Sequence, residues 1–520
     1  MSRVDDRGRA DQPAATGDDG LPAPRRSGFW RAVGLTALGT ALPGAGLTQT
    51  RNRVLGWVLL AVALLSAVAL TWVVATKGLR TTVLDVVTSP GTLQAIAIVF
   101  VVAGIIWCAS IILTAMRARP HRLDRTRTRV LAAFTTVMVF FVAAGSLKVA
   151  EYATITQDTV SQVFGAPSTS TGIDGSSSGP QVVQGQDPWA EQPRLNILLL
   201  GSDAGADRTG VRTDSMIVAS IDTKTGRATL ISLPRNLLKA PLAPESPLRA
   251  RYTSGSFGSP DSTCAQGPGQ CMLTNLWEEA ENYKKDNPAS YPGDSTPGRT
   301  EIRGAIQQIV GMDINQLVII DLKGFQQLID AMGGVDINVK DAAFGGRLPI
   351  GGHADGFGHI TGVTGYFTPG FQHLNGQLAL WYARSRAADS DTYRQARQRC
   401  VVQAIVKQVN PARMVSKYPE IAQIAKNNIY TDISASNLSA FVTLVERIQG
   451  STINSVSLTS SEGISSTNPD YTKVRALIKK AIETPPAVTP SATATPSTST
   501  PTPTTPATAS PTTTPYEQCN

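Results

Sequence analysis

Three long apolar runs dominate the first 150 residues, and each is long enough to cross a bilayer. They cover about Val54–Ala75, Leu93–Met116 and Val130–Leu147, and a membrane-spanning helix needs roughly 20 predominantly apolar residues. Each run therefore predicts a transmembrane helix. A shorter apolar stretch, Ala32–Leu47, is interrupted by Pro43 and several glycines. We interpret this stretch as interfacial or re-entrant and not as a fourth span.

Arginines beside these runs predict their orientation. The connection between the second and third runs contains six of them: Arg117, Arg119, Arg122, Arg125, Arg127 and Arg129. Another group precedes the first run: Arg25, Arg26, Arg31, Arg51 and Arg53. Because an excess of basic residues marks cytoplasmic loops, both groups are expected inside the cell and everything after residue 150 outside it.

Beyond residue 190, short apolar strands alternate with amphipathic helices. This alternation predicts an α/β domain in which helices flank a central mixed β-sheet. The expected strands are Leu195–Leu200, Met216–Asp222, Ala228–Leu233, Leu317–Asp321 and Val335–Val339. The expected helices are Glu301–Val310, Lys323–Met332, Leu374–Ala383, Asp391–Val409 and segments near residues 418–427 and 435–448.

Composition then divides the chain into five parts. We expect a cytoplasmic N-terminus over residues 1–53, disordered apart from its apolar segment, and a three-helix membrane region over residues 54–150. An extracytoplasmic linker (151–192), a folded domain (193–484) and a Pro/Thr/Ser-rich tail (485–520) follow. Within the linker, residues 165–190 are rich in Ser, Gly, Gln and Pro and are expected to form a flexible spacer. The tail has too few apolar side chains to form a core and is expected to be disordered.

The net charge of +8 changes little in this picture, because many of the basic residues are the arginines that flank the membrane segments. We therefore expect no nucleic-acid partner.

The five cysteines include no CxxC pair, which argues against a zinc ribbon or a thioredoxin-type site. Cys264 and Cys271 lie in a Gly/Pro-rich loop and could bridge in an oxidising compartment. Cys400 would then be a buried thiol or an alternative partner, and the sequence leaves the pairing open.

Two charged clusters stand at the ends of predicted elements. The first follows the strand Leu195–Leu200 and comprises Asp203, Arg212 and Asp214, and Arg235 follows another strand end. The second lies around the start of a predicted helix and comprises Arg384, Arg386, Asp391, Arg394, Arg397 and Gln398. Arg394, Arg397 and Gln398 share one helix face. Charges that merely solvate one another would be the simplest explanation of either cluster alone.

Together the two clusters suggest a site for a lipid-linked diphosphate. Arginine forks match the oxygens of phosphate groups, and two carboxylates suit Mg²⁺, which takes its remaining ligands from phosphate and water. No competing chemistry is supported. The four histidines have no zinc-ligand spacing, and the chain has neither a Walker A loop nor a GxGxxG turn after a strand.

An ordered series of motifs over roughly residues 193–410 resembles the LytR-CpsA-Psr family of cell-wall glycopolymer ligases. The series reads LNILLLGSD, RTDSM, SLPRN, LVIIDLKGFQQLIDAMGGVDI, LNGQLALWYARSR and SDTYRQARQR. The three apolar runs, the cysteine-containing loop and the Pro/Thr tail resemble members from actinobacteria. The family implies a membrane enzyme that moves a glycan from a polyprenyl-diphosphate carrier to a hydroxyl of peptidoglycan and forms a phosphodiester. Its partners would be the lipid-linked glycan, peptidoglycan and membrane lipids.

The resemblance also implies roles for individual residues. Asp203 and Asp214 would hold Mg²⁺ or Mn²⁺. The diphosphate would be bound by Arg212, Arg235, Arg384, Arg386 and Arg394. Asp391 and Gln398 would orient these arginines, and Arg397 belongs to the same motif without an assigned role. Many members have Asp after the Pro-Arg pair, whereas this chain has Asn236. We give this position no catalytic role, because an amide cannot act as a base and carries no negative charge.

Two alternatives remain from sequence alone. The same site could hydrolyse the lipid diphosphate with water as the acceptor. The domain could also be a non-catalytic membrane regulator or a glycan-binding protein, although a complete set of acids and arginines is more than binding requires.

The arginine asymmetry generates a test of topology. A reporter fused after residue 160 should be active only if it is of a type that works outside the cytoplasm, such as alkaline phosphatase, because residues 151–520 are expected outside. Activity of a reporter that functions only in the cytoplasm at this position would overturn the membrane topology and the lipid-linked substrate with it.

Overall fold

A computed structural model describes most of the chain. The residues described are 27–77, 82, 90–120, 124–163, 180, 187–203, 213–258, 263–264, 267–268, 271–340, 346–354, 360–385, 390–409, 417–434 and 437–483. The chain divides into two compact units. One comprises Met1–Gly78 with Ile96–Glu151, and the other Leu79–Ala95 with Tyr152–Asn520. The predicted tail and most of the predicted linker lie outside the described residues.

The N-terminal part consists of helices, three of which are long and apolar enough to span a membrane. The helices are α1 Ser27–Ala41, α2 Arg53–Lys77, α3 Pro90–Ala118 and α4 Arg125–Val163. The candidate spans within α2, α3 and α4 are Arg53–Thr76, Thr92–Ala118 and Arg125–Thr159. The three predicted transmembrane helices are therefore confirmed by length and composition.

Helix α1 accounts for most of the apolar stretch before the first span. Its 15 residues rise about 22 Å at 1.5 Å per residue, which is short of a hydrocarbon core of about 30 Å. The indole Nε1 of Trp107 on α3 donates to the carbonyl oxygen of Gly39 at 2.9 Å. The turn after α1 is close-packed, since a Cβ at Gly46 would lie 2.2 Å from the carbonyl oxygen of Leu35.

Helix α4 continues past the predicted end of the membrane region at residue 150 and reaches Val163. The polar residues that follow Leu147 still favour a helix, and neither Pro nor Gly interrupts them. Lys148 and Glu151, one turn apart, form an ion pair at 2.5 Å. The change from apolar to polar composition therefore ends the predicted span but not the helix.

A six-stranded mixed sheet forms the centre of the C-terminal domain. Its strands are β1 Arg194–Ser202, β2 Thr213–Asp222, β3 Ala228–Ser232, β8 Gln316–Asp321, β13 Ile429–Thr431 and β14 Ile453–Ser457. They lie in the order β13-β8-β1-β2-β3-β14, with β1 antiparallel to β2 and parallel to β8, and β14 parallel to β3. Short pairs lie outside the sheet: β4 Ala240–Pro241 with β5 Ser256–Phe257, β6 Thr263–Cys264 with β7 Gly267–Pro268, β9 Val335–Val339 with β12 Gly370–Leu374, and β10 Pro349–Ala354 with β11 Ile360–Tyr366.

Helices cover both faces of this sheet, as the sequence predicts. The helices of the domain are α5 Leu276–Asp286, α6 Pro297–Val310, α7 Leu322–Met332, α8 Gly376–Arg384, α9 Asp391–Gln408, α10 Tyr418–Asn428, α11 Leu438–Gln449 and α12 Tyr471–Glu483. One core joins Leu198 and Val218 of the sheet to Ile302 of α6 and Ile478 of α12. Because side chains alternate along a strand, Leu195, Ile217 and Ala219 enter a second core with α11, against which Val402 of α9 packs. A third core joins α7, α8, β9 and β12.

Every strand and helix predicted for the domain is present, and the predicted bounds differ from the observed ones only at the ends of these elements. Helix α6 begins at Pro297, because proline fits the first turn of a helix. Helix α8 begins after Asn375, whose side chain accepts from the amide of Leu378 at 2.9 Å, so Leu374 belongs to β12 and not to the helix. The folded domain also begins earlier than predicted, because Trp189 is buried and its indole donates to the carbonyl oxygen of Ala440 at 3.0 Å.

A disulfide links Cys264 and Cys271, whose Cα atoms lie 5.6 Å apart. The third cysteine of the domain, Cys400, is buried in α9 and is also disulfide-bonded. Of the two alternatives that the sequence left for this residue, the free buried thiol is therefore wrong.

Peptide mapping under non-reducing conditions tests this pairing. Protein purified from native membranes should yield residues 264 and 271 in one bridged peptide and Cys400 in oxidised form, because an exported domain folds in an oxidising compartment. Recovery of all three as free thiols would contradict both the pairing and the export of the domain.

A buried carboxyl group fastens the start of α6. Glu301 is 2% exposed, both of its carboxyl oxygens lie 2.7 Å from Oγ of Ser246, and the hydroxyl of Tyr291 donates to Oε1 at 2.9 Å. Burial raises the pKa of the Glu301 carboxyl above its usual range, and the nearby Glu245 and Asp294 add to the shift.

This raised pKa predicts a pH dependence of stability. The folded state binds the Glu301 proton more tightly than the unfolded state does, so the protonated carboxyl group adds to the free energy of unfolding. This contribution is complete below the pKa that Glu301 has in the unfolded chain, and it is lost as pH rises through the pKa of the folded state. Glu301→Gln should flatten that part of the curve of melting temperature against pH, whereas Glu462→Gln, at an exposed glutamate, should leave it unchanged. A wild-type curve that rises through the same interval in parallel with that of Glu301→Gln would refute the assignment.

Candidate active site

A β-bulge places Asp214 at the edge of the sheet where β1 ends. Gly201 lies opposite Ser215 and Ser202 lies opposite Thr213, so Asp214 is the extra residue of the pairing. A bulge of this kind redirects side chains and ends regular pairing. Asp203 follows Ser202 directly and is 4% exposed. The two predicted metal ligands therefore lie at the same end of one strand pair, and Asp203 is more buried than its predicted loop position suggests.

Arg235 is bound to Asp214. Strand β3 ends at Ser232, Pro234 prevents its continuation, and Nη1 of Arg235 lies 2.5 Å from Oδ1 of Asp214. Both side chains are 27% exposed, so the pair remains accessible. Asn236 is exposed and makes no hydrogen bond to Arg235 among the described residues. The carboxylate of Asp214 orients this arginine, and the amide that follows it does not.

The predicted arginine face of α9 is buried and not solvated. Arg394 is 4% exposed and Arg397 is 1% exposed. Nη2 of Arg394 lies 2.8 Å from Oδ1 of Asp391, whose Oδ2 accepts from Nε2 of Gln395 at 2.9 Å. Asp391 therefore fixes Arg394 from the preceding turn. Arg399 on the same helix is also buried, at 1% exposure, although nothing in the motif series assigned it a role.

Arg397 and Gln398 bind the end of α8. Nε of Arg397 donates to the carbonyl oxygen of Tyr382 at 2.8 Å, and its Nη2 donates to that of Ser385. Nε2 of Gln398 donates to the carbonyl oxygen of Ala383 at 3.4 Å. Arg384 is the last residue of α8, one position beyond the predicted end of this helix at Ala383. It is half-buried, and its side chain makes no hydrogen bond with the described residues.

A single hydrogen bond joins the two charged clusters. The hydroxyl of Ser215, next to Asp214, donates to Oε1 of Gln398 at 3.1 Å across 183 positions of sequence. The structure thus brings together Asp203, Asp214, Arg235, Arg384, Asp391, Arg394 and Gln398 on the elements around this contact. Arg212 and Arg386 lie outside the described residues. Ser215 is a site residue that the sequence analysis missed, because a serine inside a strand gives no signal of its partner.

The sheet face toward α9 carries apolar side chains that remain partly exposed. Leu199 lies beside Val318, and Gly201 lies beside Ile320, in the parallel pairing of β1 and β8. All four are only partly buried. In the core that joins α7 and α8, Ile329, Leu374 and Ala379 are buried, whereas Phe325, Leu378 and Trp381 are only partly buried.

Asp203 and Asp214 offer two carboxylates, which are fewer than a metal site built from protein ligands alone needs. Among the described residues, no group of three or more His, Cys, Asp or Glu side chains could form a metal cage. Mg²⁺ commonly binds one or two carboxylates and completes its shell with phosphate and water. Oδ2 of Asp214 accepts no hydrogen bond from the described residues, which leaves one oxygen of this carboxylate for such an ion.

Known proteins resemble this chain over about half of its length. Biofilm regulatory protein A of Streptococcus mutans serotype c is 29% identical over 259 residues, which are 49% of this chain and 53% of that protein. Polyisoprenyl-teichoic acid–peptidoglycan teichoic acid transferase TagU of Oceanobacillus iheyensis is 28% identical over 260 residues, 49% of this chain and 64% of that protein. The chain thus spans between about half and two thirds of these curated relatives.

Among solved structures, that of Bacillus subtilis TagV is 23% identical, with 56% of this chain and 96% of that chain covered and a TM-score of 0.37. A family model described as the LytR_cpsA_psr family matches residues 153–244 and 271–484. The interruption at residues 245–270 contains Cys264 and the short strands beside it. Since the two matched segments cover more than half of the sequence, the chain belongs to the LytR_cpsA_psr family.

Proposed function

We propose that this protein transfers a glycan phosphate from a polyprenyl-diphosphate carrier to a hydroxyl group of peptidoglycan. The observation that supports this most is the meeting of two charged clusters through Ser215 and Gln398. Curated relatives that bear the name polyisoprenyl-teichoic acid–peptidoglycan teichoic acid transferase support the substrate class. The arginines that flank the membrane segments support a site on the outer side of the membrane.

Accessible guanidinium groups would bind the diphosphate. Arg235 is partly exposed while Asp214 holds it in place, and Arg384 has no competing partner among the described residues. Arg212 and Arg386 would complete the set from the segments next to them in sequence. Arg394, which Asp391 fixes below the surface, would add positive potential. Planar guanidinium groups suit this task because each presents a fork that matches two phosphate oxygens.

Asp203 and Asp214 would hold Mg²⁺ or Mn²⁺. Such an ion, when bound, neutralises charge on the phosphate oxygens and orients them. The protein supplies the positions of the two carboxylates, at the end of β1 and in the bulge of β2.

The chemistry is a phosphoryl transfer that the charges of the site favour. The acceptor oxygen forms a bond to the phosphorus that carries the glycan, and the bond from that phosphorus to the bridging oxygen breaks. Polyprenyl phosphate leaves with the bonding electrons, and the acceptor hydroxyl releases its proton to solvent. Fixed arginines stabilise the negative charge that develops on the bridging oxygen, and one preorganised donor of this kind contributes on the order of 10²–10³ in rate.

A prenyl chain would need an apolar surface close to the arginines. Leu199, Val318 and Ile320 offer such a surface on the sheet face toward α9. They lie toward the C-terminal ends of β1 and β8, whose last residues are Ser202 and Asp321. Asp203 follows β1 at this same edge of the sheet. A contiguous apolar patch that remains partly exposed in a folded domain often marks a binding groove.

Substitution of the carboxylates and of Arg235 tests this proposal. Asp203→Asn and Asp214→Asn should lower turnover by roughly two orders of magnitude or more, because charge neutralisation at the diphosphate is lost. Arg235→Lys should also be severe, since an ammonium cannot replace the fork. The assay is release or transfer from a synthetic prenyl-diphosphate sugar by the full-length protein in detergent, with and without Mg²⁺, alongside thermal melting.

Matched controls lie at the far end of β2 from Asp214 and in the turn that follows this strand. Asp222 pairs loosely with Arg227, at 4.0 Å, so Asp222→Asn and Arg227→Lys change the same chemical groups away from the site and should leave turnover unchanged. Folded site variants with normal, metal-independent turnover would refute the proposal and favour a regulatory or glycan-binding role. Product analysis that finds only hydrolysis, even with peptidoglycan present, would identify a lipid-diphosphate hydrolase instead.

A further inference from the structure

We infer that Arg397 is a positioning residue, which holds the end of α8 so that Arg384 meets the diphosphate, and that it does not bind the diphosphate itself. This inference rests on the proposed function. Arg397 shares a helix face with Arg394 and Gln398, and its sequence pattern alone would suggest one more phosphate ligand. The contacts of its side chain point to a different role.

The guanidinium of Arg397 is committed to the backbone of α8. Its Nε and Nη2 donate to the carbonyl oxygens of Tyr382 and Ser385, and Cζ lies 5.8 Å from the centre of the Tyr382 ring. Only 1% of the residue is exposed. A diphosphate bound at the surface could reach this group only if these contacts broke.

The carbonyl groups that Arg397 binds bracket Arg384. The last carbonyls of a helix have no partner within the helix, and they carry the negative end of its dipole. Arg397 and Gln398 bind the carbonyl groups of residues 382, 383 and 385. A buried positive charge is stabilised there by these dipoles, and α9 thereby fixes the backbone on both sides of Arg384.

Arg384 depends on this fixation because its own side chain is not held. It makes no hydrogen bond with the described residues, in contrast to Arg235 with Asp214 and Arg394 with Asp391. The position from which its guanidinium reaches the substrate is therefore set by the backbone to which it is attached. A shift of about 1 Å at such a position can cost on the order of 10²-fold in rate.

A double-mutant cycle on the full-length protein in detergent tests the inference. Arg397→Lys keeps the charge but loses the fork, and it should lower kcat by roughly tenfold with a smaller effect on KM. Arg384→Ala should lower kcat further, and addition of Arg397→Lys to it should change the rate by no more than about twofold, since the two residues act through one contact. Multiplicative losses in the double variant would show that Arg397 acts on the substrate independently, and would overturn the inference.

Arg303 offers a matched control. It is also buried, donates from Nη2 to the carbonyl oxygen of Ile314 at 2.6 Å, and pairs with Asp432 at 3.0 Å. Arg303→Lys should lower the melting temperature, leave kcat within about twofold, and combine multiplicatively with Arg384→Ala. If it lowers kcat as much as Arg397→Lys does, the effect at Arg397 is general destabilisation and the inference fails.

Hydrogen exchange gives a readout that does not need turnover. The amide of Ser385 donates to the carbonyl oxygen of Trp381 at 2.9 Å in the last turn of α8. Its exchange should accelerate by roughly tenfold or more in Arg397→Lys and stay unchanged in Arg303→Lys. Unchanged exchange in Arg397→Lys would refute the inference. An inactive wild-type protein would count against the proposed function, while this measurement would still decide whether Arg397 fixes α8.

Discussion

The irregular end of the β1–β2 pairing is the constraint on which the site depends. Met216 and Val218 face the core with α6 and α12, and a regular strand would turn Asp214 to that same face. The bulge shifts the alternation by one residue, so that Thr213 is fully buried and its hydroxyl contacts Sδ of Met216 at 3.7 Å. Asp214 is left to bind Arg235, and Ser215 is left to reach α9. One extra residue thus separates the core of the sheet from its charged edge.

Sequence patterns predicted the domain well where hydrophobic periodicity and local capping act together. The strand Val335–Val339 has the predicted bounds, and α9 begins at Asp391 as expected. Strands β13 and β14 were missed because they are short and their burial is incomplete. A strand of three to five residues is defined by the neighbour with which it pairs, and that neighbour is far away in sequence. The predicted membrane helices had the strongest signal, since a span needs only length and apolar composition.

The candidate site was predictable as a set of residues but not as a set of contacts. The spacing of Arg394, Arg397 and Gln398 identified one helix face, yet spacing does not show what covers that face. Charged side chains are usually exposed, and nothing in the sequence signals that the end of α8 supplies carbonyl groups to Arg397. The pairing of Asp214 with Arg235 was likewise hidden, because closer arginines in the sequence were equally plausible partners. Such contacts follow from how the elements pack, and packing is a property of the whole chain.

The different surroundings of Arg384 and Arg397 have a consequence for how the two positions can drift during evolution. Loss of the Arg397 side chain removes the donors of two carbonyl groups inside the fold, so selection for folding alone disfavours it. Loss of Arg384 deprives no described group of a partner, and only selection for activity would oppose it. A descendant that had abandoned catalysis would therefore be expected to change first at position 384 and to retain arginine at position 397. The state of position 384 would then serve as the record of whether a lineage still uses the site.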